Sequence, residues 1–441
     1  MYDYFEIAYA LAGQSLCLFL GTGFSKHITN NEAPSWLELL QKCCDELDDL
    51  DKIKEELFPD GKNILPLEEC AQIIELLLTR EEKNLREIIA DIISDIKIDE
   101  EASEKVVAFF NKYEGIKIIT TNYDTLIENS IAPKLCNSYC PGKPIPKRKR
   151  GIEVYHIHGS TDSPNDIIVT ANDYYKFINI PSYFQNKIYS LIQENTTVII
   201  GYSLGDPNLK PIFNYYSNTN LSSLNRGSLF YVTNRKRVPL HIKDYYEYCY
   251  SIRVIENARI DRLLGRIESQ YEDAKERYEK RQETLQRILR DKRRKYSDSF
   301  LKVRHSFFHI ISAASAIGEN IKSRKMKVLI NKILKRKIGF TSESQAWEQY
   351  DHLAEWLVYL GSVIDIKSTL LEKTYLKAVN HSMSTMSKEH RIRYCWEAYQ
   401  TWKFHWESIT RKNRTMIKQY VEKEKISIDA IRIVNEGKLA F

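Results

Sequence analysis

"KIITTNYDTLIEN" (residues 117–129) starts as a buried strand and ends as something else. Lys117, Ile118 and Ile119 lead into Thr120, Thr121, Asn122, Tyr123 and Asp124, and Leu126 and Ile127 then resume an apolar pattern. An ordinary turn would use Gly or Pro here. In open α/β sheets, ligands lie beyond the carboxyl ends of the strands, so polar side chains at a strand's end face a binding crevice. The stretch therefore points to a ligand site, provided the rest of the chain builds such a sheet.

Residues 1–256 carry the required pattern. Apolar runs at Leu16–Leu20, Ile116–Thr120, Val154–Ile157, Ile167–Val169, Thr197–Ile200, Leu229–Val232 and Ile252–Ile255 read as strands. Several are continuous rather than alternating, as in strands covered on both faces. Helical periodicity lies between them, at Trp36–Leu47, Leu67–Leu78, Leu85–Ile96 and Ala102–Tyr113. Alternating strands and helices predict a Rossmann-like parallel sheet with flanking helices. Residues 131–153, with four prolines and the basic run Lys147–Arg150, read as a surface excursion or short hairpin.

The chain then changes character. After residue 257 proline disappears. Leu264, Ile267, Tyr271, Ala274, Tyr278, Leu285 and Ile288 follow a 3/4 spacing that predicts one long amphipathic helix, suited to a coiled-coil seam. Helical patterns continue over Phe300–Ile317, Ala346–Ile364 and Thr385–Ile409. Charge divides at the same place. Residues 1–258 hold 27 Lys+Arg against 36 Asp+Glu, a net of −9, and residues 259–441 hold 38 against 23, a net of +15. The expectation is an α/β domain at 1–258 followed by an all-α domain at 259–441.

Composition narrows the class. No apolar run reaches the ~18 residues of a membrane span, and the acidic start at Asp3 and Glu6 is unlike a signal peptide. A cytoplasmic setting is expected. The eight cysteines are scattered without two CxxC pairs, so reduced buried thiols are expected and no zinc site.

Three further strand ends resemble the first in chemistry. "LCLFLGTGFS" delivers Gly21, Thr22, Gly23, Phe24 and Ser25, a turn whose glycines admit close approach and whose helix start offers N–H groups to an anion. "VYHIHGSTD" carries His156 and His158, expected to face different sides, with His158 before Gly159 turned to the crevice. Histidine suits proton transfer near neutral pH. "TTVIIGYSLGDPNL" delivers Gly201, Ser203 and Asp206, and "LFYVTN" places Asn234 after a strand in a similar way. Within the opening stretch, Thr121 and Asn122 can contact a ligand, and an Asn amide can hold a ribose hydroxyl or a water. Asp124 can orient its neighbours, although an Asx turn capping the next helix would also account for it.

Taken in order, strand-GTGFS, strand-TTNYD, strand-HGS and strand-GYSLGDPN resemble the sirtuin (silent information regulator) family. The resemblance covers residues 10–256 and is closest to the prokaryotic branch associated with NAD hydrolysis and anti-phage defence. It implies NAD as substrate, Gly21–Ser25 around the pyrophosphate, and Asn122 and Asp124 near the nicotinamide ribose. It further implies His158 as acid/base, and Ser203 and Asn234 on the adenosine side. Sirtuin deacylases carry a GIPDFR-like loop where this chain reads "KHITNNEAPSWLELL", and a four-cysteine zinc module that this chain lacks. These departures favour water over an acyl-lysine as acceptor, and hence an NAD+ glycohydrolase acting in abortive infection. The resemblance also implies self-assembly and, in some members, a HerA-type ATPase partner.

Two rival readings remain open. The domain could sense NAD or another nucleotide without cleaving it. The helical half could bind nucleic acid, because residues 287–340 hold 16 Lys+Arg against Asp291, Asp298 and Glu319. A solvated face or a protein interface is the plainer reading of that stripe. Homo-oligomerisation is expected if Trp347, Trp356, Trp396, Trp402 and Trp406 are partly exposed.

Overall fold

A computed structural model describes residues 2–145, 151–179, 182–204, 209–219, 229–320, 323–343, 346–390 and 394–436. The basic run Lys147–Arg150 and Asp206 lie outside the described residues.

Seven parallel strands form one sheet: β1 Leu16–Leu20, β2 Lys117–Thr120, β3 Cys136–Tyr139, β4 Ile152–His156, β5 Thr196–Ile200, β6 Leu229–Val232 and β7 Ile252–Ile255. Their order is β3-β4-β2-β1-β5-β6-β7. The chain builds outward from β1 to one edge and then crosses to β5 on the other side, so the direction of winding reverses between β1 and β5. In doubly wound sheets that reversal opens the ligand crevice. Register sets the height of the rim. Leu20 lies beside both Thr120 and Ile200, and Thr120 lies beside His156. Gly21, Thr121, Ile157 and Gly201 therefore leave the sheet at one level.

The period of two along each strand separates two cores. Leu16, Leu18, Leu20, Ile118, Val154 and Val198 face one way and join helix α1 (Tyr2–Ala12) and the C-terminal helices in the largest apolar cluster. Cys17, Phe19, Ile119, Tyr155 and Ile199 face the other way, onto the helices Tyr183–Glu194 and Leu209–Thr219. A third cluster lies above the rim. It packs helix α3 (Trp36–Cys43) against the helices Leu67–Arg80 and Leu85–Ser94, with Tyr123, Ile167 and Val169 beneath. The sequence between β1 and β2 thus roofs the crevice.

Several expectations need correction. Ile167–Val169 is not a strand. Its alternating side chains are buried under the roof, but no ladder forms: Ile168 N–H donates to the His158 carbonyl at 2.9 Å, and Val169 N–H goes to the Asp173 carboxylate at 3.2 Å. Residues 131–153 contain β3, which pairs in parallel with β4 and is no hairpin. It has no apolar run, since Tyr139 alone of its four residues is buried, as befits an edge. The long helix through 264–288 is broken: Ile260–Lys275 ends and Tyr278–Arg290 begins around Arg277, at φ 58°. Tyr278 folds back onto Tyr9, ring centroids 4.6 Å apart, so its periodic position is filled by packing within the chain. Thr385–Ile409 is not one helix either. Met386 bridges to Cys395, and the helix starts only at Trp396.

Trp356, Trp402 and Trp406 are buried within the chain, Trp396 is half-buried, and Trp347 is 57% exposed. Three of the five tryptophans therefore spend their apolar surface inside the chain rather than on a second copy. No helix among the described residues is long and apolar enough to cross a membrane.

Candidate active site

Three glycines decide how β1 and β5 end. Gly201 sits at φ +66°, and a Cβ there would lie 2.2 Å from Phe24 N. A Cβ on Gly21 would meet Gly201 O at 2.7 Å, and one on Gly23 would meet Gly201 Cα at 2.8 Å. The two turns therefore interlock backbone to backbone, which only glycine allows. Gly21 N–H donates to Ile200 O at 3.0 Å and Gly23 N–H to Gly201 O at 2.8 Å. Those two amides are spent holding the turns together, contrary to the expectation of free donors for an anion. Phe24 also departs from expectation, since its side chain turns into the main core. Helix α2 (Thr22–Ile28) then carries Ser25 toward β2.

Ser25 is the hub. Its Oγ donates to Asp124 Oδ2 at 2.7 Å and accepts from Asn122 Nδ2 at 2.8 Å. A hydroxyl has one proton, so donating to the carboxylate forces it to accept from the amide, which fixes the orientation of Asn122. Asn122 Oδ1 is left buried with no hydrogen-bond partner among the described residues. The main chain of Asn122 is clamped as well. Its N–H donates to Thr120 Oγ1 at 3.0 Å, and Thr120 in turn donates to Leu20 O at 3.0 Å. Burial pushes the Asp124 carboxyl above the usual range, and the Ser25 bond opposes that rise. Asp124 Oδ1 also accepts from Leu126 N–H at 3.3 Å, so the Asx turn expected as an alternative is present alongside the Ser25 bond.

β4 ends at His156 and the chain turns through Gly159, at φ +82°. Within a strand, residues two apart share a face. The two histidines part company because the turn begins between them. His156 is fully buried behind the loop, with Nδ1 3.1 Å from Asn122 O and Nε2 2.6 Å from Glu128 Oε1. His158 lies against Tyr174, centroids 5.4 Å apart, and edge-on to Phe177.

These groups wall a cavity of about 820 Å³, within the ~300–1,000 Å³ typical of small-molecule sites. Thr22, Gly23 and Ser25 line one side and Thr121, Asn122 and Asp124 another, with His158, Gly201 and Ser203 completing the rim. Asn234 is not brought there. β6 stops at Val232, and Asn234, two residues further on, is exposed and not among the residues that line the cavity.

The strand-end motifs gave no hint of the roof. Trp36 stacks on Tyr174 at 5.7 Å and 13°, both rings line the cavity, and Trp36 Nε1 is a buried donor without a partner among the described residues. Trp36 is placed by a capping box at the start of α3. Ser35 Oγ accepts from Glu38 N–H, and Glu38 accepts from Ser35 N–H and from Lys26 of α2 at 2.7 Å. The Lys26 ammonium and the Ser35 donors hold the Glu38 carboxyl down at about 2. The S-x-x-E spacing of Ser35 and Glu38 was a visible signal for this helix start. Tyr174 is placed by Arg86, which binds Ile167 O at 3.0 Å, Asp173 at 2.5 Å and Glu75. No short motif announces that long-range set. Among the described residues, no group of three or more His, Cys, Asp or Glu side chains could hold a metal ion.

The parallel sheet, with its Asn–Ser–Asp network and a histidine at the strand ends, can be set beside known proteins. Residues 116–255 match the SIR2-like domain family. The NAD(+) hydrolase ThsA of Bacillus cereus (strain MSX-D12) is 26% identical over 204 residues, covering 44% of this chain and 38% of the relative. The match therefore spans well under half the length of that protein.

Proposed function

We propose that the cavity binds NAD+ and hydrolyses its nicotinamide N-glycosidic bond, giving nicotinamide, ADP-ribose and a proton. The observation that carries this reading is Asn122 Oδ1, a buried acceptor held on the cavity wall with its own amide donor already engaged. The SIR2-like match and the relative's name support the same reading.

Nicotinamide leaves NAD+ as a neutral molecule, so departure needs no general acid. Positive charge develops on the ribose, as in glycoside hydrolysis. Asn122 Oδ1 accepts from the attacking water or from a ribose hydroxyl and so orients it. His158 takes the proton released as water adds, a contribution of about 10²–10⁴-fold in comparable enzymes. Asp124 keeps the Ser25 proton pointed away from Asn122 and so preserves the free acceptor. The Trp36 and Tyr174 rings shield the site from bulk water and present an aromatic wall to a planar substrate ring.

Incubating purified protein with NAD+ and separating the products tests the proposal. Nicotinamide and ADP-ribose should appear, and Asn122→Ala or His158→Ala should nearly abolish both while leaving the melting temperature close to wild type. Tight NAD+ binding without nicotinamide release would make this a sensor. By resemblance, we further infer a cytoplasmic, self-assembling effector that depletes NAD in anti-phage defence, with a HerA-type ATPase as candidate partner. The exposed cations Arg290, Lys292, Lys332 and Lys335 support an acidic or nucleic-acid partner for the helical half.

A further inference from the structure

Behind the catalytic loop lies a second histidine that the proposed chemistry does not use. His156 is fully buried, and Glu128, 11% exposed, faces it from the wide helical turn Ile127–Ile131. That turn closes through an i→i+5 bond from Ala132 N–H to Ile127 O at 2.9 Å. Such turns are rare and frequently mark functional sites. The imidazole spans two groups: Nδ1 lies 3.1 Å from Asn122 O and Nε2 2.6 Å from Glu128 Oε1. With Glu128 ionised both partners are acceptors, and the ring then meets both only by carrying a proton on each nitrogen.

We infer that His156, held by Glu128, is a positioning residue that grips the Asn122 carbonyl and thereby fixes the Asn122 side chain for hydrolysis. Three polar atoms of Asn122 are then pinned, by Thr120, by Ser25 and by His156, and Oδ1 alone is left to act on the substrate. A neutral imidazole would release one of its two acceptors. Burial disfavours charge on His156, but Glu128, the Asn122 carbonyl and Asp124 together outweigh it and raise the imidazole above the usual histidine range. The charged groups acting on the ring are Glu128 and Asp124, both anionic when ionised. A bond to a backbone carbonyl gives His156 no direct contact with substrate, so its effect belongs in turnover rather than in binding.

The inference rests on the NAD+ hydrolase reading for its kinetic consequence but not for its geometry, and the test separates the two. Nicotinamide release is measured against pH for wild type, Glu128→Gln, His156→Ala and His156→Gln. In parallel, histidine side chains labelled with ¹⁵N are titrated by NMR. His156→Ala should lower kcat by about 10²-fold, the scale of an ångström-level misplacement, with KM changed less than about twofold. His156→Gln keeps an N–H donor and should recover part of that loss, which mere cavity filling would not require. Glu128→Gln should move the alkaline limb of kcat, and the NMR midpoint of His156, to lower pH together.

Unchanged kcat in His156→Ala, or a pH limb indifferent to Glu128→Gln, would overturn the assignment. If wild type releases no nicotinamide, the hydrolase reading falls by itself. The NMR titration then decides the geometry: a His156 that titrates at or below the ordinary histidine range ends it, and a raised midpoint that drops in Glu128→Gln upholds it.

Discussion

Ser25 shows how much one hydroxyl can decide. Its proton commits to Asp124, so Asn122 must present its amide to Ser25 and its carbonyl elsewhere. The same bond opposes the burial-driven rise of the Asp124 pKa. Protonated Asp124 could donate to Ser25, reverse the chain and occupy Asn122 Oδ1, so activity should fall as pH drops through that pKa. In Ser25→Ala the lowering bond is gone and the carboxyl rises further. That rise no longer reaches Asn122, because the hydroxyl that relays it is gone, so the acid limb of kcat/KM for nicotinamide release should disappear, and a limb persisting at the wild-type position would exclude Asp124 as its source. Trp36 offers a second test at this scale. Trp36→Phe keeps the stack on Tyr174 and removes only the indole N–H. If that donor reaches the substrate, KM for NAD+ should rise about tenfold, the worth of one hydrogen bond of about 1.4 kcal/mol. Unchanged KM would leave Trp36 a wall and nothing more. Asn122, Asp124 and His158 were legible as candidates because a polar residue at the end of a buried strand has few roles besides meeting a ligand. Glu128 and Trp36 were not, because each reads locally as an ordinary helix residue and gains its meaning from a partner far away in the chain.

Between elements, the decisive contact is turn against turn. Gly201 carries both a positive φ and a backbone neighbour where a side chain would begin. Gly201→Ala should therefore destabilise the α/β half by more than the ~1–3 kcal/mol of an αL residue alone, read as a lower denaturation midpoint with weakened NAD+ hydrolysis. A fully stable variant would mean that the two turns separate easily. Strand positions were readable because β1, β2, β5, β6 and β7 are short apolar runs, a pattern with little ambiguity once helices intervene. β3 was not readable, since an edge strand with one buried side chain has no such run. The break at Arg277 was hidden for a different reason. Helical spacing continues through it, and nothing local marks the residue that must adopt φ 58° to let Tyr278 fold onto Tyr9.

At the scale of the molecule, one apolar core runs from a face of the sheet through α1 into the C-terminal helices. Arg253 of β7 reinforces that junction by pairing with Glu6 and, at 3.0 Å, with Asp3 of α1. The helical half carries its own buried charge. Lys337 is fully buried, with Nζ 4.2 Å over the Trp356 ring and bonds to Gln349 Oε1 at 2.8 Å and Leu301 O at 3.2 Å. Burial pushes its pKa down to about 7. Between that value and the ~10.4 of an unfolded lysine, the unfolded chain binds the extra proton. Stability contributed through this site should therefore rise as pH increases from about 7 toward about 10. Denaturant melts at about pH 7 and about pH 9, the two sides of that window, should show the gain in wild type and lose it in Lys337→Met. An equal gain in both proteins would place the proton elsewhere.

Period, strand-end chemistry and the change of composition were enough to specify a wound parallel sheet, the polar residues at its strand ends and a helical C-terminal region. Such features are local: they depend on which side chains alternate, and on which stop alternating. The chemistry of the rim depended on contacts between residues distant in the chain. Ser25 meets Asp124, Glu128 meets His156, Gly201 meets Phe24, and Trp36 meets Tyr174 only when β1, β2, β4 and β5 end at one height. Hydrogen-bond direction and close packing act over a few ångströms in space, whatever the separation along the chain, and only the folded chain brings such groups that near.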